Sequence, residues 1–159
     1  MSKVTMTING KNSLEVELKQ LRAVVRPKVI EEIATARAHG DLSENSEYDA
    51  AKEKQSFLEG RIRDISDKLA RADVIDPSQM NHDKIVFGAT VILSDLETDE
   101  KKTYSIVGED EADIKSGKLS INAPVARALI GKQVGDEVLI RVPKGKLEYE
   151  ILEIRYEKT

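Results

Sequence analysis

Residues 39–51 read HGDLSENSEYDAA, with four carboxylates (Asp41, Glu44, Glu47 and Asp49) and no lysine or arginine. Helical periodicity flanks this stretch on both sides. Before it, Leu14, Leu18, Leu21, Val25, Val29, Ile33 and Ala36 recur at spacings of four and three, the pattern of a one-sided helix. Asn12 is the expected N-cap, with Glu15 completing a capping box. Pro27 removes a backbone hydrogen bond and predicts a kink. Gly40 is a natural stop. After it, Tyr48, Ala51, Gln55, Leu58, Ile62, Ile65, Leu69 and Ala72 form a regular seam. Ser46 is the expected cap and Asp76-Pro77 the expected end of this helix. The short connection makes the two segments an antiparallel hairpin. Each helix spans roughly 40 Å. One apolar stripe per helix gives little core, so the arm is expected to project.

Beyond Pro77 the period changes. Phe87–Leu93, Lys102–Val107, Glu137–Val142 and Leu147–Ile151 are β-rich, and Pro143-Lys144-Gly145 marks a hairpin turn. Pro124–Ile130, closed by Gly131, reads as a short helix with proline in its first turn. The expected class is α+β. Residues 1–76 form a coiled-coil hairpin with its acidic tip near 39–49, and residues 77–159 form a small antiparallel-sheet domain.

Composition narrows the chemistry. The chain has 159 residues, a net charge of −4, no cysteine and two histidines. Thiol catalysis, disulfides and histidine-rich metal sites are excluded. The negative charge gives no bulk attraction to nucleic acid. No apolar run approaches a membrane span, and the N-terminus lacks the apolar core of a signal peptide. A soluble, cytoplasmic protein is the expectation. Phosphate-binding glycine motifs are absent, and both histidines lie beside turn or linker residues.

The acidic turn has two readings. Carboxylates at a helix start offset the helix dipole, and polar hairpin tips are ordinary. Alternatively, Asp41 and Glu44, three apart, face one way and offer hard oxygen donors suited to Mg²⁺. Two carboxylates supply only part of an octahedral shell, a half-site that makes sense if another macromolecule supplies the rest. Metal-assisted phosphodiester cleavage is one chemistry that uses such a shared ion.

At these residues a resemblance becomes specific. AHGDLSENSEYDAAKEKQ and LEGRIRDI are similar to the tip and second helix of the bacterial transcript-cleavage elongation factors, the GreA family. FGATVIL, YSIVGEDEAD, INAPVARALIGK and VGDEV resemble the C-terminal motifs of that family, in order and over nearly the whole chain. The resemblance implies a hairpin that enters the secondary channel of bacterial RNA polymerase. There Asp41 and Glu44 would help hold a Mg²⁺ ion shared with the polymerase, bound only in the complex. The polymerase, not this chain, would then cut the nascent RNA 3′ end in backtracked, arrested complexes.

Arg37, Lys52 and Tyr48 are the implied RNA-contacting residues. Each also has a bland reading: Arg37 and Lys52 as part of a solvated face with Lys54, Arg61 and Arg63, and Tyr48 as seam packing. Asn45 and Ser46 read as caps. The resemblance gives residues 77–159 an FKBP-like fold that docks on the polymerase through Asn122, Ala123 and Pro124, without implying prolyl isomerase activity. Many relatives carry serine at the position of Ala123. DNA would be met only through the elongation complex, no membrane is involved, and a monomer is expected. The rival readings are a channel-binding regulator that competes without stimulating cleavage, and a coiled-coil adaptor with an unrelated partner.

Overall fold

The computed structural model describes residues 2–40 and 45–157. Among these, residues 2, 11–40 and 45–72 form one compact unit, and residues 3–10 and 73–157 form a second. The class is the α+β arrangement expected, a helical hairpin followed by a sheet.

The hairpin contains α1 (Ile8–Gln20), a π-helical turn (Leu21–Val25), α2 (Arg26–Ala38) and α3 (Ser46–Ala70). Val29, Ile33, Ala51, Leu58 and Ile62 bury a single seam, flanked by Leu18, Leu21, Val25 and Tyr48. Each large aliphatic in such a seam contributes about 1.5–3 kcal/mol. Two bidentate pairs fix the helix register. Arg26 donates to both oxygens of Glu59 at 2.8 and 2.7 Å, and Arg61 donates to both oxygens of Glu17 at 2.7 and 2.9 Å. Those hydrogen bonds hold the carboxyls of Glu59 and Glu17 below the ordinary carboxylate value.

Pro27 acts differently from the expected kink. The N–H of Arg26 bonds the carbonyl of Leu21, five residues back. The widened turn lies immediately before Pro27, whose ring would crowd the carbonyl four residues earlier in a regular helix. It also explains the spacing. Leu21, Val25, Val29 and Ile33 are four apart, and in an α-helix each such step overshoots by about 40°. A wider turn absorbs part of that drift and returns Val29 and Ile33 to the seam.

The helix start also differs. It lies at Ile8, and Asn12 falls inside α1. Thr7 is the cap: its hydroxyl oxygen accepts from the N–H of Gly10 at 3.0 Å, while the hydroxyl donates to the Glu111 carboxylate. Asn45, not Ser46, caps α3. That helix ends at Ala70, because Ala72 already belongs to a strand.

In the second unit, β1 (Val4–Thr7) pairs with β2 (Ala72–Ile75). The main sheet contains β3 (Thr90–Asp95), β4 (Lys101–Val107), β5 (Lys118–Ser120), β6 (Glu137–Val142) and β7 (Gly145–Arg155). Their order is β5-β4-β3-β7-β6. All pairings are antiparallel except β4 with β5, which is parallel. Val91, Leu93, Ile106, Val138, Ile140, Tyr149 and Ile151 alternate onto one face and are buried there. The short helix α4 (Pro124–Leu129) lays Ala126 and Leu129 on that face. A bulge between Ile92 and Leu93 lets β7 bend across β3.

Candidate functional site at the turn of the hairpin

The last turn of α2 sets up one side of the site. The N–H of His39 donates to the carbonyl of Ala36 at 3.2 Å, and Gly40 takes a positive φ of 123°. Glycine adopts that conformation without a Cβ penalty, so the helix stops where the sequence predicts. Asp41 and Glu44, the implied catalytic and metal-holding pair, lie outside the described residues.

The description resumes at Asn45, whose side chain binds both helices. Its Oδ1 accepts from the N–H of Tyr48 at 3.1 Å, capping α3. Its Nδ2 donates to the carbonyl of Ala36 at 2.6 Å, at the end of α2. One amide therefore satisfies an orphan donor of one helix and an end carbonyl of the other. A second tie joins His39 Nδ1 to Glu47 Oε2 at 2.8 Å, with both side chains exposed.

Of the three residues linked to RNA contact, the structure brings two together. The Arg37 guanidinium lies 5.8 Å from the ring centroid of Tyr48, within cation–π range. Tyr48 is half-buried and packs against the seam, as its heptad position implied. Lys52 is not part of this pair; its ammonium donates to Gln55 Oε1 at 3.1 Å. The bases further down α3 serve the hairpin itself. Lys54 pairs with Glu32 at 3.2 Å, and Arg61 is held by Glu17 and Asp64. Among the described residues, no group of three or more acidic or histidine side chains is placed to hold a metal ion.

Sequence reasoning named Asn45 as a cap but missed its second bond to α2, and it missed the His39–Glu47 pair. The available signal was position: both pairs bracket the turn from opposite sides.

Comparison with known proteins covers both units. Residues 4–74 match the family described as transcription elongation factor, N-terminal, and residues 80–156 match the one described as transcription elongation factor, GreA/GreB, C-term. The chain belongs to the GreA/GreB family. The GreA transcription elongation factor of Hyphomonas neptunium is 55% identical over 156 residues, covering 98% of this chain and 99% of its own. That of Syntrophotalea carbinolica is 59% identical over 153 residues, with coverage of 96% and 97%. Among solved structures, GreA factor homolog 1 of Thermus thermophilus aligns over 96% of this chain and 99% of its own, at 26% identity and a TM-score of 0.44.

In this GreA/GreB-family chain, Asn122, Ala123 and Pro124 form the link from β5 into α4. Asn122 is exposed, and its N–H donates to Ser120 Oγ at 3.1 Å. The N–H of Ala123 donates to the Ser120 carbonyl at 2.9 Å. Ala123 occupies the cap position of α4 without a side-chain bond, and the exposed Pro124 opens the helix. The segment is thus a tight, backbone-bonded corner that presents Asn122 and Pro124 outward. No helix among the described residues is long and apolar enough to cross a membrane.

Proposed function

We propose that this elongation factor acts on bacterial RNA polymerase by inserting its helical hairpin into the secondary channel. It stimulates endonucleolytic cleavage of the nascent RNA 3′ end in backtracked complexes, and the shortened transcript resumes elongation. The observation that carries this reading is the acidic pair Asp41 and Glu44 in the turn between α2 and α3. That turn sits in a chain whose relatives are transcription elongation factors by name.

The donor chemistry of the pair fits Mg²⁺: both side chains offer hard carboxylate oxygen, with no nitrogen or sulfur to favour a softer ion. Asp41 and Glu44 would hold the ion together with groups of the polymerase. Such an ion lowers the pKa of bound water and screens a scissile phosphate.

The chain's own residues position and deliver. The Asn45 amide ties the end of α2 to the start of α3. Arg37, with Lys52 and Tyr48, meets the displaced RNA by phosphate contact and stacking, which places the strand without reading its sequence. Asn122, Ala123 and Pro124 dock on the polymerase surface. The factor is an activator of the polymerase's own cleavage activity and not a nuclease by itself.

The test is direct. The purified factor and Mg²⁺ are added to a stalled polymerase carrying end-labelled RNA. Shortened transcripts that can be extended again support the proposal. Inhibition of extension without cleavage points instead to a competing channel-binding regulator, and the absence of polymerase binding removes both readings.

A further inference from the structure

We infer that β6 is a self-recognition edge, through which two copies of this chain pair into a continuous antiparallel sheet. The main sheet ends at β6, and among the described residues no strand lies beyond it. Val142 pairs with Gly145 across the two-residue loop Pro143-Lys144. Proline has no N–H, so the closing pair has to be Val142 and Gly145 hydrogen-bonded to each other. Bonded and non-bonded pairs then alternate along the ladder. The backbone groups of Val138, Ile140 and Val142 face β7. Those of Glu137, Leu139 and Arg141 face outward.

A second β6 fits this margin in one register above others. With a two-fold axis through Leu139, the outward-facing residues pair only with each other: Leu139 with Leu139, and Glu137 with Arg141 of the second copy, twice. All six backbone donors and acceptors on the margin are then matched, and the interface is isologous. Moving the axis to Glu137 or Arg141 would place like charges together.

The charge pattern within one chain points the same way. Glu137 lies opposite Glu150 on β7, and Arg141 lies opposite Lys146. Like charges directly opposite each other are unfavourable in a sheet. Neither Glu137 nor Arg141 forms an ion pair among the described residues, whereas Lys146 is paired with Glu148 at 3.3 Å. A second copy supplies the missing opposite charge to both. Leu139, half exposed at 50%, sits between two hollows. One is lined by Arg141, Lys146 and Gly145, the other by Leu96, Glu137 and Glu148. The two-fold axis brings the basic hollow of each copy against the acidic hollow of the other. Charged residues commonly protect an edge from pairing by repulsion; here the 139-centred register turns them into an attraction.

The edge is short, so the paired form exchanges with the single chain and is populated at high concentration. β6 lies at the opposite margin of the sheet from β5, which leads to Asn122–Pro124. The inference is independent of the proposed activity.

Sedimentation velocity over a concentration series reaching the millimolar range tests it, with Glu137→Arg and Arg141→Glu as separate variants. Each substitution puts an opposite charge across from Glu150 or Lys146 in its own chain, so neither weakens the local sheet. Each alone is expected to self-associate roughly tenfold or more weakly than the parent. An equimolar mixture of the two is expected to recover association as a heterodimer. A parent chain that stays monomeric throughout overturns the inference. So do variants that associate like the parent, or a mixture that fails to pair.

Discussion

Asn45 donates from Nδ2 to the carbonyl of Ala36, nine positions earlier, at 2.6 Å. The same side chain caps α3 through the N–H of Tyr48. Asn45→Ala removes both bonds, and a lost N-cap of this kind costs about 1–2 kcal/mol. Asn45→Asp keeps the capping oxygen and loses only the donor to Ala36. Thermal melts followed by helical circular dichroism should therefore rank parent, Asn45→Asp, Asn45→Ala in falling stability. Equal melting of all three would show that the amide does not tie the turn.

The paired substitution Asp41→Asn with Glu44→Gln preserves shape and removes both charges. Transcript cleavage in a backtracked complex should fall to the level without factor, while polymerase binding stays close to that of the parent. Cleavage at full rate would end the metal assignment.

The hairpin should respond to acid. Hydrogen bonds from Arg61 and Arg26 hold Glu17 and Glu59 below the ordinary carboxylate value of 4.5. A carboxylate depressed in the folded state contributes stability that is present above the unfolded pKa and is lost as pH falls through the folded value. Both pairs are solvent-accessible, so the effect is modest and screened by salt. Melting temperature should hold from neutral pH down to about 4.5 and fall below it. Glu17→Gln with Glu59→Gln should flatten that fall while lowering stability at neutral pH. An acid response unchanged by the double variant would assign it to other groups.

The corner at Asn122–Pro124 separates docking from stability. Replacing Asn122 and Pro124 with alanine should weaken polymerase affinity, with cleavage recovered at high factor concentration. Ala123→Ser should raise the melting point of the sheet unit, because serine at the N-cap can accept from the first turn of α4, a gain of about 1 kcal/mol. Titration of polymerase with each variant, alongside calorimetry, checks both. Unchanged affinity in the Asn122 and Pro124 variant would move the docking surface elsewhere.

What the sequence made legible was local. The seam of α2 and α3 could be read because its apolar residues recur within a few positions, and Gly40 and Gly131 stop helices by conformational freedom alone. The strands of the hairpin β6–β7 were legible through alternation and Pro143. What stayed hidden depends on distant partners. Val4–Thr7 is too short to show a period, and it becomes a strand only by pairing with residues 72–75. Thr7 caps α1 in concert with Glu111, so Asn12 looked like the better cap from sequence. The three-residue β5 exists because β4 offers it a parallel edge. Pro27 was correctly seen as a disturbance, but the extra residue of a π turn cannot be told from a kink by counting. At the site, the acidic pair rests on sequence and resemblance and lies outside the described residues, whereas the Asn45 bridge needs both helix ends in place.

The strand at the N-terminus has a consequence for the order of assembly. Thr7 and Glu111 meet across 104 positions of chain, so the sheet unit draws on segments from either side of the hairpin. During synthesis α2 and α3 can zip together from near neighbours and β2 follows directly to pair with β1, while the Thr7 hydroxyl must wait for Glu111. A fragment begun at residue 77 would carry Glu111 but not the Thr7 hydroxyl that donates to it. The sheet unit is completed only when residues 3–10 meet segments made after the hairpin.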